Sequence, residues 1–271
     1  MVKKINKRFR NFLDNIITND TWLGIFEKFM EQKTVNGTYN EAIGFQYAFH
    51  PYNDNMMSQY KSVFDLKKAA ALYFWYKNAD PLDKSICEYF TEYRRCIDST
   101  HSVFNSNYGV YAYREFGLDR CVRELLDRQS SRQAMFCINS NHVMSYLSID
   151  KVCTNTIQFF IRGNKLQMLV QMRSSDMIKL LPYDAFTFSM FFAYVYSNLR
   201  QVYRDLDVGV VTVQVASIHL YSADVLNKSM HVSAANDTDM YDFSKVSPLE
   251  PSDNNYILEV EKILLNALRY G

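Results

Sequence analysis

Glycine is scarce in this chain of 271 residues, eight in all, and no two are spaced as GxG. Neither a dinucleotide-binding fingerprint nor a Walker loop can therefore be written, and any bound phosphate must be held mostly by side chains. The five histidines (50, 101, 142, 219 and 231) are scattered, with no HExxH pair and no Cys/His cluster of ligand spacing, so a metal site has little support. The five cysteines (87, 96, 121, 137 and 153) are odd in number and lack a CxxC pair, and no signal-like apolar segment follows the basic N-terminus. That pattern predicts reduced thiols in a cytoplasmic protein rather than a disulfide scaffold. A charge excess is missing too: 30 basic side chains stand against 29 acidic ones, leaving no global field for nucleic acid or an acidic membrane. Partners should be small. The longest apolar run, Ala185 to Leu199, is broken by Thr187, Ser189 and Ser197 and is too short to cross a bilayer comfortably.

What the chain does have is core. With 48% hydrophobic and 15% aromatic residues it can bury a large interior, and neither an internal repeat nor a shift in composition divides it, so residues 1–271 read as one domain. The first ten residues carry five positive charges, yet Phe9, Leu13, Ile16 and Ile17 share one helical face, which favours a solvated amphipathic helix over a nucleic-acid arm. Residues 32–40 read as a polar surface loop ahead of the apolar and aromatic alternation of Ile43 to Phe49. Helical periodicity covers Phe64 to Tyr76 and Ile86 to Ile97, separated by the breaker Asn78 to Pro81, and a third helix is expected around Arg120 to Asp127. Ala134–Ile138, Thr156–Arg162, Leu166–Met172 and Val208–Ser217 read as strands, with a long helix, apolar almost all round, predicted between the last two over Tyr183 to Tyr203. Strands and helices mixed without regular βαβ repetition predict an α+β fold on one large sheet. A polar segment with two prolines over Ala234 to Asn255 and a docked helix over Tyr256 to Tyr270 complete the pattern.

A few residues stand out chemically. Cys153 opens VCTNTIQFF just ahead of a strand, where a ligand could reach a thiol; a small core residue is the plainer reading. Arg173, in QMRSSD, ends a strand and is followed by Ser174, Ser175 and Asp176, a fork with hydroxyls that suits a phosphate dianion, or equally a structural carboxylate. Arg132 in SSRQAM is a second candidate. His219 and Tyr221, two apart in SIHLYS, face one side of a strand.

These segments, with NSNYG upstream, occur in an order that resembles the thymidylate synthase family, and within it the deoxycytidylate hydroxymethylase branch of bacteriophages; the likeness runs from about Leu72 to Tyr221. The resemblance implies one mostly mixed sheet flanked by helices, dimerising through that sheet. It implies that Cys153 adds to C6 of a pyrimidine, making C5 a nucleophile toward the one-carbon unit of 5,10-methylenetetrahydrofolate. Arg173 and Ser174 match phosphate ligands, and Arg132 matches an arginine donated to the neighbouring subunit's phosphate. His219 and Tyr221 match the pair that binds the sugar 3′-hydroxyl, Tyr108 an active-site tyrosine, and Asp176 the carboxylate facing the pterin. Asp184, eleven residues after Arg173, stands where thymidylate synthases carry asparagine and the hydroxymethylases aspartate. A carboxyl there reads cytosine, so dCMP is the expected substrate; a helix N-cap is the plainer reading of Asp184. Three positions depart from the family pattern. Gln133 replaces a second arginine, Leu72 stands where an E-x-x-W helix carries its glutamate, and the C-terminus is a helix ending in Arg269-Tyr270-Gly271. The Leu72 departure keeps two other readings open: a C5 substitution without folate, and a noncatalytic nucleotide-binding relative.

Overall fold

One sheet of five strands, in the order β1-β5-β4-β3-β2, organises the computed structural model, which describes residues 38–52, 64–97, 103–140, 149–221 and 255–270. The strands are β1 (Tyr39–Phe49), β2 (Met135–Cys137), β3 (Thr154–Arg162), β4 (Lys165–Asp176) and β5 (Asp207–Tyr221). All neighbours pair antiparallel except β4 and β5, which run parallel, so the sheet is mixed and the fold α+β, as the sequence predicts. The helices are α1 (Leu66–Asn78), α2 (Ile86–Tyr89), α3 (Gly117–Asp127), α4 (Leu181–Arg200) and α5 (Tyr256–Tyr270). The N-terminal amphipathic helix, most of the 32–40 loop and most of the proline-containing segment over 234–255 lie outside the described residues. Within them, β1 already begins at Tyr39, inside the stretch read as loop, because its backbone pairs with the far end of β5.

Two devices set the position of the site. β3 and β4 are joined by a two-residue turn in which Gly163 (φ 57°) and Asn164 (φ 61°) both adopt left-handed conformations, the twist that suits a tight hairpin. From that turn the register runs regularly from Arg162↔Lys165 to Thr156↔Gln171 and then slips between Thr156 and Thr154, so that Thr154 faces Met172 and the Arg173 N–H donates to the Cys153 carbonyl at 2.8 Å. The second device is α4, the crossover between the parallel strands. Phe186, Phe188, Phe191 and Phe192 are completely buried along it, which is the all-round apolar pattern expected of a central helix. It ends at Arg200 rather than Tyr203.

α1 is capped by Asp65, whose side chain accepts from the Lys67 and Lys68 N–H groups at 2.8 and 3.3 Å, and α5 docks on it through a 2.6 Å hydrogen bond from Tyr73 to Glu261 and an ion pair between Lys77 and Glu261. The helix expected over 86–97 is instead α2 followed by a 3-10 turn over Thr91–Cys96, broken at Phe90, which takes an extended conformation (φ −122°). Tertiary packing overrides the helical period there: Phe90 lies edge-on to Tyr183 and Tyr93 to Trp75, with ring centroids 5.0 and 5.5 Å apart.

Candidate functional site

The register slip and the start of α4 bring Cys153, Arg173, Ser174 and Asp184 to the wall of one cavity of about 500 Å³, with Leu72 and Tyr108 also lining it. Its size suits a small organic ligand. Five of the sequence-predicted site residues therefore meet: Tyr108, Cys153, Arg173, Ser174 and Asp184. Each arrives from a different constraint. Gly109 packs so closely on α1 that a Cβ there would lie 1.6 Å from the Tyr76 carbonyl oxygen, and this approach lets the Tyr108 ring stack on Tyr76 at 5.2 Å.

Arg173 is held tightly. Its Nε donates to the Val152 carbonyl at 2.8 Å, Nη2 donates to the Lys151 carbonyl at 2.7 Å, and Nη2 also reaches Cys153 Sγ at 3.8 Å. The cation thus favours the thiolate, but burial outweighs it and pushes the thiol up to about 11. Arg95, exposed at the rim, acts in the same direction as Arg173, and exposed Lys151 adds a further positive charge beside the opening. The rim suits an anion.

Asp184 sits in the first turn of α4, its N–H already donating to the Leu180 carbonyl, and the helix has no side-chain cap, so the N-cap reading does not hold. Its buried carboxyl is pushed up to about 8, first by loss of water and then by the charge of Asp176. Near neutral pH it is an acid with one O–H to donate and an oxygen to accept. Asp176 itself is buried, is not among the residues that line this cavity, and accepts from the Ile178 and Lys179 N–H groups through Oδ1 at 2.9 and 2.8 Å.

His219 and Tyr221 lie on one side of β5, rings 5.1 Å apart, and join the cavity wall through a 3.4 Å contact between His219 Nδ1 and Ser174 Oγ. Burial lowers the His219 pKa below its ordinary value. Arg132 is exposed beside β2 and is not part of this cavity; its carbonyl accepts from the Gln158 amide at 2.7 Å. No group of three or more His, Cys, Asp or Glu able to hold a metal occurs among the described residues, and no described helix is long and apolar enough to cross a membrane.

A model of the thymidylate synthase family matches residues 31–248. The chain belongs to this family. Deoxycytidylate 5-hydroxymethyltransferases of Enterobacteria phages T4, T2 and T6 are each 28% identical to it over 164 residues, covering 55% of this chain and 64% of theirs. The chain thus spans somewhat less than two thirds of the length of these curated relatives.

Sequence reasoning missed several cavity residues. Asp150 accepts from both the backbone and the hydroxyl of Ser106 at 2.6–2.8 Å, fixing the segment that carries Tyr108. Tyr76 and Tyr93 contribute phenols. The NSNYG segment includes Ser106, but nothing in local sequence links it to a carboxylate 44 residues away.

Proposed function

We propose that this protein is a one-carbon transferase acting at C5 of a pyrimidine nucleoside monophosphate, most specifically the hydroxymethylation of dCMP, and that it forms a homodimer of single-domain chains. The observation that carries this reading is a buried carboxyl, Asp184, sharing one cavity with the thiol of Cys153. A protonated carboxyl whose O–H faces N3 of cytosine can accept from the 4-amino group with its other oxygen. Uracil in the same pose sets donor against donor and acceptor against acceptor.

In this reading the Cys153 thiolate adds to C6 of the ring while Asp184 fixes the base edge, and electron density moves to C5. Arg173 and Ser174 hold the phosphate, with Arg132 supplied from the partner subunit, and His219 and Tyr221 hold the sugar 3′-hydroxyl. Because Arg173 already donates to two carbonyls, its Nη1 is the nitrogen left for phosphate, and the partner's guanidinium supplements it.

The cavity residues also fit a flat aromatic cofactor: Phe90, Leu180 and Tyr183 form an apolar stretch of wall. Methylenetetrahydrofolate, when bound, supplies the one-carbon unit. Asp176, matched by the resemblance to the carboxylate that faces the pterin, does not line this cavity, and its Oδ1 is held by the turn.

A second reading is favoured by Leu72, 4% exposed and lining the cavity, because no carboxyl stands there to organise later steps. It is a folate-independent C5 substitution or a noncatalytic nucleotide-binding role. Exchange of the C5 proton of dCMP with solvent separates these possibilities, since exchange needs thiol addition but no folate. Exchange lost in Cys153→Ala supports catalysis; no exchange by the unaltered protein overturns it. With methylenetetrahydrofolate added, the product mass distinguishes hydroxymethylation from methylation.

A further inference from the structure

The wall beside Leu72 lacks a carboxyl, yet it is not without hydrogen-bonding groups. Tyr76 lies one helical turn further along α1 on the same face, and both residues line the cavity together with Tyr93. The two phenols are near enough to influence each other's ionisation. Neither ring can turn freely. Tyr76 is stacked on Tyr108, ring planes 7° apart, and Tyr93 is wedged edge-on against Trp75, Phe104 and Phe90 at centroid separations of 5.5, 5.9 and 6.1 Å.

Of the carboxyls that line this cavity, Asp150 is held by Ser106, Asp184 is assigned to the base, and Glu92 is exposed. Tyr93 lines the same cavity as Asp184 and Cys153 and feels the charges of Asp150, Asp184 and Cys153. Burial raises both phenols far above their ordinary value, so they stay neutral and can orient water without acting as a base.

The geometry points to the Tyr76–Tyr93 hydroxyl pair as a positioning device that holds the water carrying protons to and from C5 of the bound pyrimidine. This rests on the function proposed above. As Cys153 Sγ bonds to C6, the ring electron pair moves to C5 and takes a proton from that water, leaving a hydroxide hydrogen-bonded by the pair. In reverse, the hydroxide removes a C5 proton and the thiolate leaves C6. Atoms and charge balance with water alone, so the net result is isotope exchange.

The test follows loss of the C5 proton signal of dCMP in D2O, without folate, alongside dCMP affinity by titration. Tyr93→Phe keeps the ring and its packing and removes only the hydroxyl; exchange should fall about tenfold or more, with affinity unchanged. Tyr76→Phe should fall similarly, and the double variant little further, because the two hydroxyls act as one unit. Exchange at the unaltered rate in Tyr93→Phe, or a fall matched by an equal loss of affinity, overturns the assignment. If the unaltered protein does not exchange at all, the parent reading fails as well, a distinct result.

Discussion

Arg173 Nη2 stands 3.8 Å from Cys153 Sγ and at the same time donates to the Lys151 carbonyl at 2.7 Å. The cation beside the thiol is therefore not a loose partner: the backbone that carries the cysteine also fixes the arginine. Its pull toward the thiolate is permanent and still smaller than the cost of burying a charged sulfur.

In the free protein, Cys153 should be alkylated slowly at neutral pH and progressively faster as pH approaches about 11, while exposed Cys137 reacts early. Replacing Arg173 with glutamine removes an attractive charge, raises the thiol pKa further, and should slow labelling at pH 8 by about threefold to tenfold. Peptide-resolved iodoacetamide labelling across pH checks both; Cys153 labelling as readily as Cys137 at pH 7 contradicts the geometry.

Asp184 titrates near 8 in the folded chain, well above the value of 3.8 it would have if exposed. The folded state therefore binds a proton that the unfolded state has lost between those values, and stability declines as pH climbs through that window. Asp184→Asn removes the penalty. Its stabilising effect should be small at pH 4 and grow to about 2–4 kcal/mol by pH 8, measured by chemical unfolding at each pH. The same variant should shift nucleotide preference from dCMP toward dUMP; unchanged preference refutes the base-reading role.

Gly109 has no room for a side chain against Tyr76. Gly109→Ala should cost about 3 kcal/mol or more, since backbone on both sides must move, and should weaken nucleotide binding by displacing Tyr108. Thermal unfolding and titration with dCMP report the two effects; a variant as stable as the parent would show that this approach is not tight.

A row of amides crosses the sheet on the face opposite buried Val170 and Val213. Thr156 donates to Gln171 at 2.9 Å, Gln171 to Gln214 at 3.4 Å, and Gln214 to Gln46 at 3.0 Å. If this face joins two chains, Gln171→Lys combined with Gln214→Lys sets like charges side by side in the parallel register and should give monomers in sedimentation. Affinity for dCMP should then drop at least about tenfold as Arg132 loses its target. Dimers that persist would exclude this face as the interface.

Much of this was legible in the sequence because it is local. Alternation of branched residues located β3, β4 and β5, and the surface predicted over 183–203, apolar almost all round, marked a central helix. The five predicted residues that share the cavity, Tyr108, Cys153, Arg173, Ser174 and Asp184, came from short segments in family order, whereas Arg132, Asp176, His219 and Tyr221 do not line it. What escaped depends on long-range packing. The break at Phe90 follows from contacts with Tyr183 that no helical period encodes. The commitment of Arg173 to two carbonyls needs the register slip near Thr154, and the elevation of the Cys153 and Asp184 pKa values needs a burial that only the assembled fold creates.

The two-residue turn at Gly163–Asn164 acts, in effect, as a ruler. Ten positions separate Cys153 from Gly163 on one arm, and nine separate Asn164 from Arg173 on the other; the slip near Thr154 absorbs the odd residue. Lengthening or shortening that turn by one residue would rotate every side chain of an arm to the opposite surface of the sheet. The guanidinium would then point away from the sulfur although neither residue had been altered, so this wall tolerates substitutions in the turn far better than insertions or deletions.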